Sequence, residues 1–214
     1  MRDGGEKSIR GINDARLFAP AAARNRDVIR DVLMRHLPPR GLALEIASGS
    51  GEHITHFANA SGPDLIFQPS DPDAAARASV DAWVAYLELT NVRPAISLDA
   101  AADDWPVTSA DAVISINMIH IAPWAAAVGL VKNAGCILKP RGVLFLYGPF
   151  RRAGYPTASS NDAFDADLKR RNPAWGVRDL EAVAALADAH GFAASEIVEM
   201  PANNLSVIFK RRRA

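Results

Sequence analysis

The stretch LALEIASGSGEH, Leu42 to His53, holds one acid, Glu45, inside an apolar run and then gives way to Ala47, Ser48, Gly49 and Gly51. Side chains this small let a ligand lie directly on main-chain atoms, and a carboxylate just ahead of them can hold an ammonium group, directly or through water. The chemistry suggested is capture of a polar, positively charged ligand that carries no phosphate. Two kinds of phosphate site are excluded by the residues present. A dinucleotide fingerprint counted from Gly49 meets Ile54 where its third glycine belongs, and a phosphate-cradling loop lacks its lysine, since none occurs between Lys7 and Lys132. A purely structural reading stays open beside the chemical one, with Gly49 and Gly51 as a tight turn from strand to helix and Glu45 as its cap.

These residues need elements to hold them. ARNRDVIRDVLMRHL places Val28, Ile29, Val32, Leu33 and Leu37 along one helical stripe, ended by Pro38 and Pro39. Leu42 to Ala47 then reads as a first strand, with a helix, GEHITHFANA, opening straight after the glycines. LIFQPS predicts a second strand, and DPDAAARASVDAWVAYLEL a helix announced by Asp71 and Pro72. PAISLD and AVISIN predict third and fourth strands around the irregular segment AAADDWPVTSAD. A helix from Pro123 to Leu138, the turn KPRG and a fifth strand, GVLFLYG, follow. Helices near Asn161 to Arg171 and Arg178 to His190 precede two last strands, SEIVEM and LSVIFKR, joined by PANN. Such alternation implies a mostly parallel α/β sheet with helices on both faces, and ligands on such sheets bind beyond the carboxyl ends of the strands. Residues 1–20 are expected to form an N-terminal arm and 21–214 a single domain.

The spacing Glu45-x-Ala47-x-Gly49-x-Gly51 resembles the first motif of class I S-adenosylmethionine-dependent methyltransferases, with alanine at Ala47 where that family normally has glycine. The resemblance implies a Rossmann-like fold and S-adenosyl-L-methionine as cofactor. Glu45 would hold the methionyl ammonium, and Ala47, Ser48, Gly49, Gly51 and His53 would line the cofactor's path. Asp71, with Pro72 beside it, would receive the ribose hydroxyls, Asp99 the adenine amino group, and Asn117 and Met118 the ring or the methionyl tail. Asp71-Pro72 is also a good helix start, and Asp99 a good turn residue, whether or not a ligand is near.

Taken in order, ARNRDVI, LEIASGSGEH, QPSDPD, INMIHIAPW, LYGPFR, NPAWGVRDLE and EMPANNLSVIF are together similar to the methyltransferase-like 26 family, over nearly the whole chain from Ala22 to Lys210. That resemblance implies a seven-stranded, mostly parallel sheet whose last strand is antiparallel. It names no substrate.

For the transfer itself, His120 after the fourth strand is the candidate base, because histidine titrates nearest to neutrality, and Tyr147 at the end of the fifth could orient an acceptor. Both are equally at home in core packing. Arg24, with Asn25 next to it, could reach the cofactor's carboxylate if the first helix crosses the pocket. Arg151, Arg152 and Tyr155 lie in a long irregular segment suited to a substrate lid. His53 and His56 have a metal-compatible spacing but no further ligands in a recognisable pattern, so no metal is assigned. NMIH replaces the Asn- or Asp-Pro-Pro-aromatic motif of adenine N6 transferases, which argues against that reaction.

Charge narrows the partners. With 24 basic and 24 acidic residues there is no broad positive field, so nucleic acid is an unlikely partner despite the terminal KRRRA. One cysteine, Cys136, excludes an internal disulfide. No apolar run approaches the roughly 20 residues of a membrane span, and the charged N-terminus lacks a signal peptide's apolar core, so a cytoplasmic protein is expected. The reading is a methyltransferase for a small-molecule acceptor. Its alternatives are a non-catalytic S-adenosylmethionine-binding subunit or sensor, and a nicotinamide oxidoreductase.

Overall fold

The structure is a computed structural model and describes residues 14–213. An extended arm, 14–19, leads into α1 (Pro20–Leu33), and the chain then alternates β1 (Gly41–Ile46), α2 (Glu52–Ala60), β2 (Leu65–Ser70) and α3 (Ala74–Tyr86). After a long irregular segment come β3 (Ala110–Ile116), a 3-10 turn at Met118–His120, α4 (Trp124–Ile137) and β4 (Leu138–Gly148). The last part contains β5 (Phe150–Arg151), α5 (Ser159–Arg171), β6 (Arg178–Asp179), α6 (Leu180–Ala189), β7 (Glu196–Met200) and β8 (Asn204–Lys210).

The main sheet runs β2-β1-β3-β4-β8-β7, parallel from β2 to β4, with β8 antiparallel to both of its neighbours. Alternation of side chains along each strand sends Ala43, Ile114, Phe145 and Ile208 to the face covered by α1, α2 and α3. Leu44, Val113, Leu144 and Val207 go to the opposite face, with α4 and α6. Each of these side chains is completely or almost completely buried, worth about 1.5–3 kcal/mol apiece for the larger aliphatic ones. No helix among the described residues is long and apolar enough to cross a membrane.

The sheet has six strands where seven are expected. The expected third strand, PAISLD, runs alongside β2 but forms a single isolated bridge there, Ser70 with Ile96, preceded by another from Phe67 to Val92 just ahead of it. Two prolines interrupt the ladder. Pro69 in β2 and Pro94 in the facing segment each lack an N–H, so Ile96 N–H bonds to the Pro69 carbonyl, while the Pro94 carbonyl is taken by the Gln68 side chain. The KPRG segment lies within β4, with Arg141 in the left-handed region at φ 70°. β5 and β6 form a separate two-stranded parallel ribbon, and PANN forms a 3-10 turn in which Ala202 and Asn203 take positive φ.

Candidate functional site

At the carboxyl end of β1 the chain turns sharply. Ala47, Gly49 and Gly51 have φ of 59°, 55° and 87°. The left-handed conformation costs a residue with a Cβ about 1–2 kcal/mol, which is the physical reason for glycine in this motif and a small penalty carried by Ala47. Gly51 is required for packing as well, because a Cβ there would lie 2.8 Å from the Val80 Cα of α3. At Gly49 a Cβ would meet nothing within 4 Å, so this stretch of main chain faces open space.

The loop is fastened to β2. Ser48 N–H donates to the Ser70 carbonyl at 2.9 Å, and Gly49 N–H donates to Asp71 Oδ2 at 3.0 Å. Asp71 Oδ1 accepts from Asp73 N–H at 2.9 Å, so two backbone donors set the orientation of this buried carboxylate and each oxygen keeps a further lone pair. The helix start expected at Asp71-Pro72 falls two residues later, since Asp73 is the residue that caps α3, accepting from Ala75 N–H.

Beyond β1 and β2 lies a cavity of about 190 Å3 whose walls include Ala47, Asp71, Pro72, Asp99 and Met118. All five were candidates, drawn from four separate segments of the sequence, and Met118 sits in the turn after β3. Asp99 is exposed, and its Oδ1 accepts from Ala101 N–H at 2.9 Å, fixing the carboxylate at the rim. Leu98 and Ile121, which sequence reasoning missed, add apolar walls. Asn117 precedes Met118 with φ 60°, and its N–H bonds to the Tyr147 carbonyl, linking the ends of β3 and β4.

Glu45 faces the α1 side of the sheet, only 2% exposed. Its Oε2 has no hydrogen-bond partner among the described residues. Burial, reinforced by the nearby charge of Asp71, pushes the carboxyl up to about 8. An orphaned buried acid oxygen beside an open glycine loop is suited to a cationic group. On the same side, His53 Nε2 lies 2.8 Å from Asn25 Oδ1. Desolvation pushes His53 down to about 4, so this imidazole is neutral, and it raises the Tyr147 phenol. Arg24 is exposed on α1 and does not line the cavity. The helix phase turns Asn25 inward in its place.

His120 is completely buried in the turn after β3. Its ring meets Phe150 edge-on at 4.9 Å, and Nδ1 faces the Arg178 N–H at 3.4 Å. Nε2 has no partner among the described residues and lies against Gly148, where a Cβ would come within 2.5 Å of it. Burial, followed by the Arg178 charge, pushes the imidazole down to about 3. The expectation of a histidine titrating near neutrality is corrected on this point, because the ring is neutral throughout the physiological range. The expected lid residues are held by their surroundings: Arg151 pairs with Asp165 and Asp162 of α5, while Arg152 pairs with Glu199 of β7 and stacks on Tyr155. His56 Nε2 lies 2.9 Å from Asp27 Oδ1 on α1.

Solved structures share this architecture. An O-methyltransferase family protein from Burkholderia thailandensis matches 91% of this chain and 58% of its own, at 16% identity and a TM-score of 0.77. A putative O-methyltransferase from Nostoc punctiforme matches 90% and 57%, at 15% identity and a TM-score of 0.76. Human N-acetylserotonin methyltransferase in complex with SAM matches 90% and 53%, at 13% identity and a TM-score of 0.70. The chain thus spans a little over half the length of these proteins, and the likeness establishes a Rossmann-like methyltransferase fold. Over residues 16–211 it matches the family model described as "Protein of unknown function (DUF938)", and the chain belongs to that family.

Proposed function

We propose that this chain is an S-adenosylmethionine-dependent methyltransferase that acts on a small-molecule acceptor. The observation that supports this most strongly is the convergence of Ala47, Asp71 and Asp99 on one cavity beyond the carboxyl ends of β1 and β2, with the bare main chain of Gly49 beside it. At about 190 Å3 the cavity is smaller than the roughly 300–1,000 Å3 of a whole ligand pocket, which suits the nucleoside end of the cofactor. In this reading the free lone pairs of Asp71 accept from the ribose hydroxyls, and Asp99 accepts from the adenine amino group. Glu45, its Oε2 unpartnered, takes the methionyl ammonium with Ser48 next to it. The motif series similar to the methyltransferase-like 26 family points the same way.

S-adenosylmethionine supplies an electrophilic methyl group on sulfur, so the chain's own task is to hold an acceptor in line and keep water out. Tyr147, its phenol kept neutral by burial, is a hydroxyl suited to orienting that acceptor. His120, neutral and with Nε2 unpartnered among the described residues, is the candidate group for sharing its proton. Calorimetric titration with S-adenosylhomocysteine and NAD in parallel tests the cofactor assignment. Binding of the first and not the second is expected, and binding of NAD alone overturns it. Transfer of labelled methyl from the cofactor into a small product of a metabolite extract tests the reaction.

A further inference from the structure

The arm ahead of α1 is joined to the glycine loop through two buried side chains. Glu52, the first residue of α2, accepts at Oε2 from the Ala19 N–H at 2.5 Å and from the Ser50 hydroxyl at 3.1 Å. Ser79, in the middle of α3, donates its hydroxyl to the Ser50 carbonyl at 2.7 Å and accepts from the Leu17 N–H at 2.7 Å. Both side chains are buried, Glu52 at 6% exposure and Ser79 at 0%. Each is therefore the middle of a two-bond chain from arm backbone to Ser50. Leu17 and Ala19 are alternate residues of the arm, and both N–H groups are taken by these side chains. The loop-side ends meet on one residue, flanked by Gly49 and Gly51, whose left-handed conformations impose little conformational preference of their own.

The arm is anchored on its outer side as well. The Trp83 indole N–H donates to the Leu17 carbonyl at 3.0 Å, the Arg16 guanidinium lies 3.7 Å from the Tyr86 ring centre, and Phe18 packs edge-on against Trp83 at 5.1 Å. These three contacts hold the arm without touching the loop.

Resting on the methyltransferase reading, we propose that Glu52 and Ser79 are positioning residues for the cofactor loop, which they hold through the arm 14–19, so that ligand binding at the loop and docking of the arm are coupled. Such coupling is reciprocal. A bound adenosyl ligand stabilises the docked arm, and a weakened arm lowers affinity for the ligand.

The test uses the full chain and S-adenosylhomocysteine as probe. Ser79→Ala and Glu52→Gln are expected to raise its dissociation constant about tenfold. Trp83→Phe, which removes the arm-side indole bond, trims the ring that packs on Phe18 and leaves Glu52, Ser79 and Ser50 unaltered, is expected to raise it about threefold while the ligand-free melting temperature stays near that of the wild type. In the wild type, tryptic cleavage between Arg16 and Leu17, followed by mass spectrometry, slows on saturation with the ligand, and Ser79→Ala abolishes that protection. If Ser79→Ala or Glu52→Gln fails to fold, Trp83→Phe and the cleavage assay decide. Wild-type affinity in Trp83→Phe, together with cleavage that ignores the ligand, overturns the coupling while leaving the methyltransferase reading intact. A wild-type chain that does not bind S-adenosylhomocysteine overturns that reading, and the coupling with it.

Discussion

Glu45→Gln alters how the stability of the ligand-free chain depends on pH. The folded-state carboxyl stands at about 8 against an ordinary value of 4.5, because burial disfavours its charge and Asp71 adds to the effect. Between those values the folded chain keeps a proton that the unfolded chain has released. The stability contributed by the raised value is therefore present in full below pH 4.5 and is lost as pH rises through about 8. Each pH unit in that window removes about 1.4 kcal/mol, and the whole window removes at most roughly 5 kcal/mol, a large share of the ~5–15 kcal/mol that holds a domain folded. Glutamine has nearly the same shape and no titration. Urea denaturation of both chains from about pH 5 to about pH 9 should give two curves whose difference slopes in one direction, with the wild type losing ground as pH rises. A constant offset between them reports only the amide's own hydrogen bonding. Parallel curves across the window would show that Glu45 is ionised in the folded chain and refute the reasoning.

The same carboxylate links ligand affinity to pH in the opposite sense. An ammonium group needs the ionised form, so S-adenosylhomocysteine should bind up to about tenfold more tightly per pH unit as the pH approaches 8, and calorimetry of Glu45→Gln should lose that slope. His120→Ala and Tyr147→Phe are expected to keep cofactor affinity while lowering methyl transfer; unchanged turnover in both removes them from the reacting centre. Gly148→Ala places a methyl group 2.5 Å from His120 Nε2 and 3.1 Å from Asn117 Oδ1. It should cost about 1–3 kcal/mol by denaturant titration, and unaltered stability would mean that His120 is not seated against Gly148. Phe145→Ala empties a fully buried position in the sheet and should cost about 3–5 kcal/mol in the same measurement.

The sequence by itself determined the alternation of strands and helices, because apolar period is local: two along a strand, near four along a helix. It also determined where the chain turns sharply after β1, since a turn into left-handed geometry favours residues as small as those from Ala47 to Gly51, and acids at strand ends are legible as such. What it could not carry were properties that depend on which segments become neighbours. The expected third strand fails only because Pro94 comes to lie beside β2 with its own Pro69, a pairing that neither segment announces. Asn25, not the more eye-catching Arg24, turns inward because packing on α2 sets the rotation of α1. Glu45 and His120 are ordinary titratable residues in the chain, and their shifted titration arises from burial between sheet and helices. The roles of Ser79 and Glu52 could not be read locally: Ser50 is only two residues from Glu52, but their partners in the arm lie 62 and 33 residues away along the chain. Periodicity and turn chemistry are written within a few residues, whereas charge state and hydrogen-bond partnership are decided by contacts that exist only after the chain has folded.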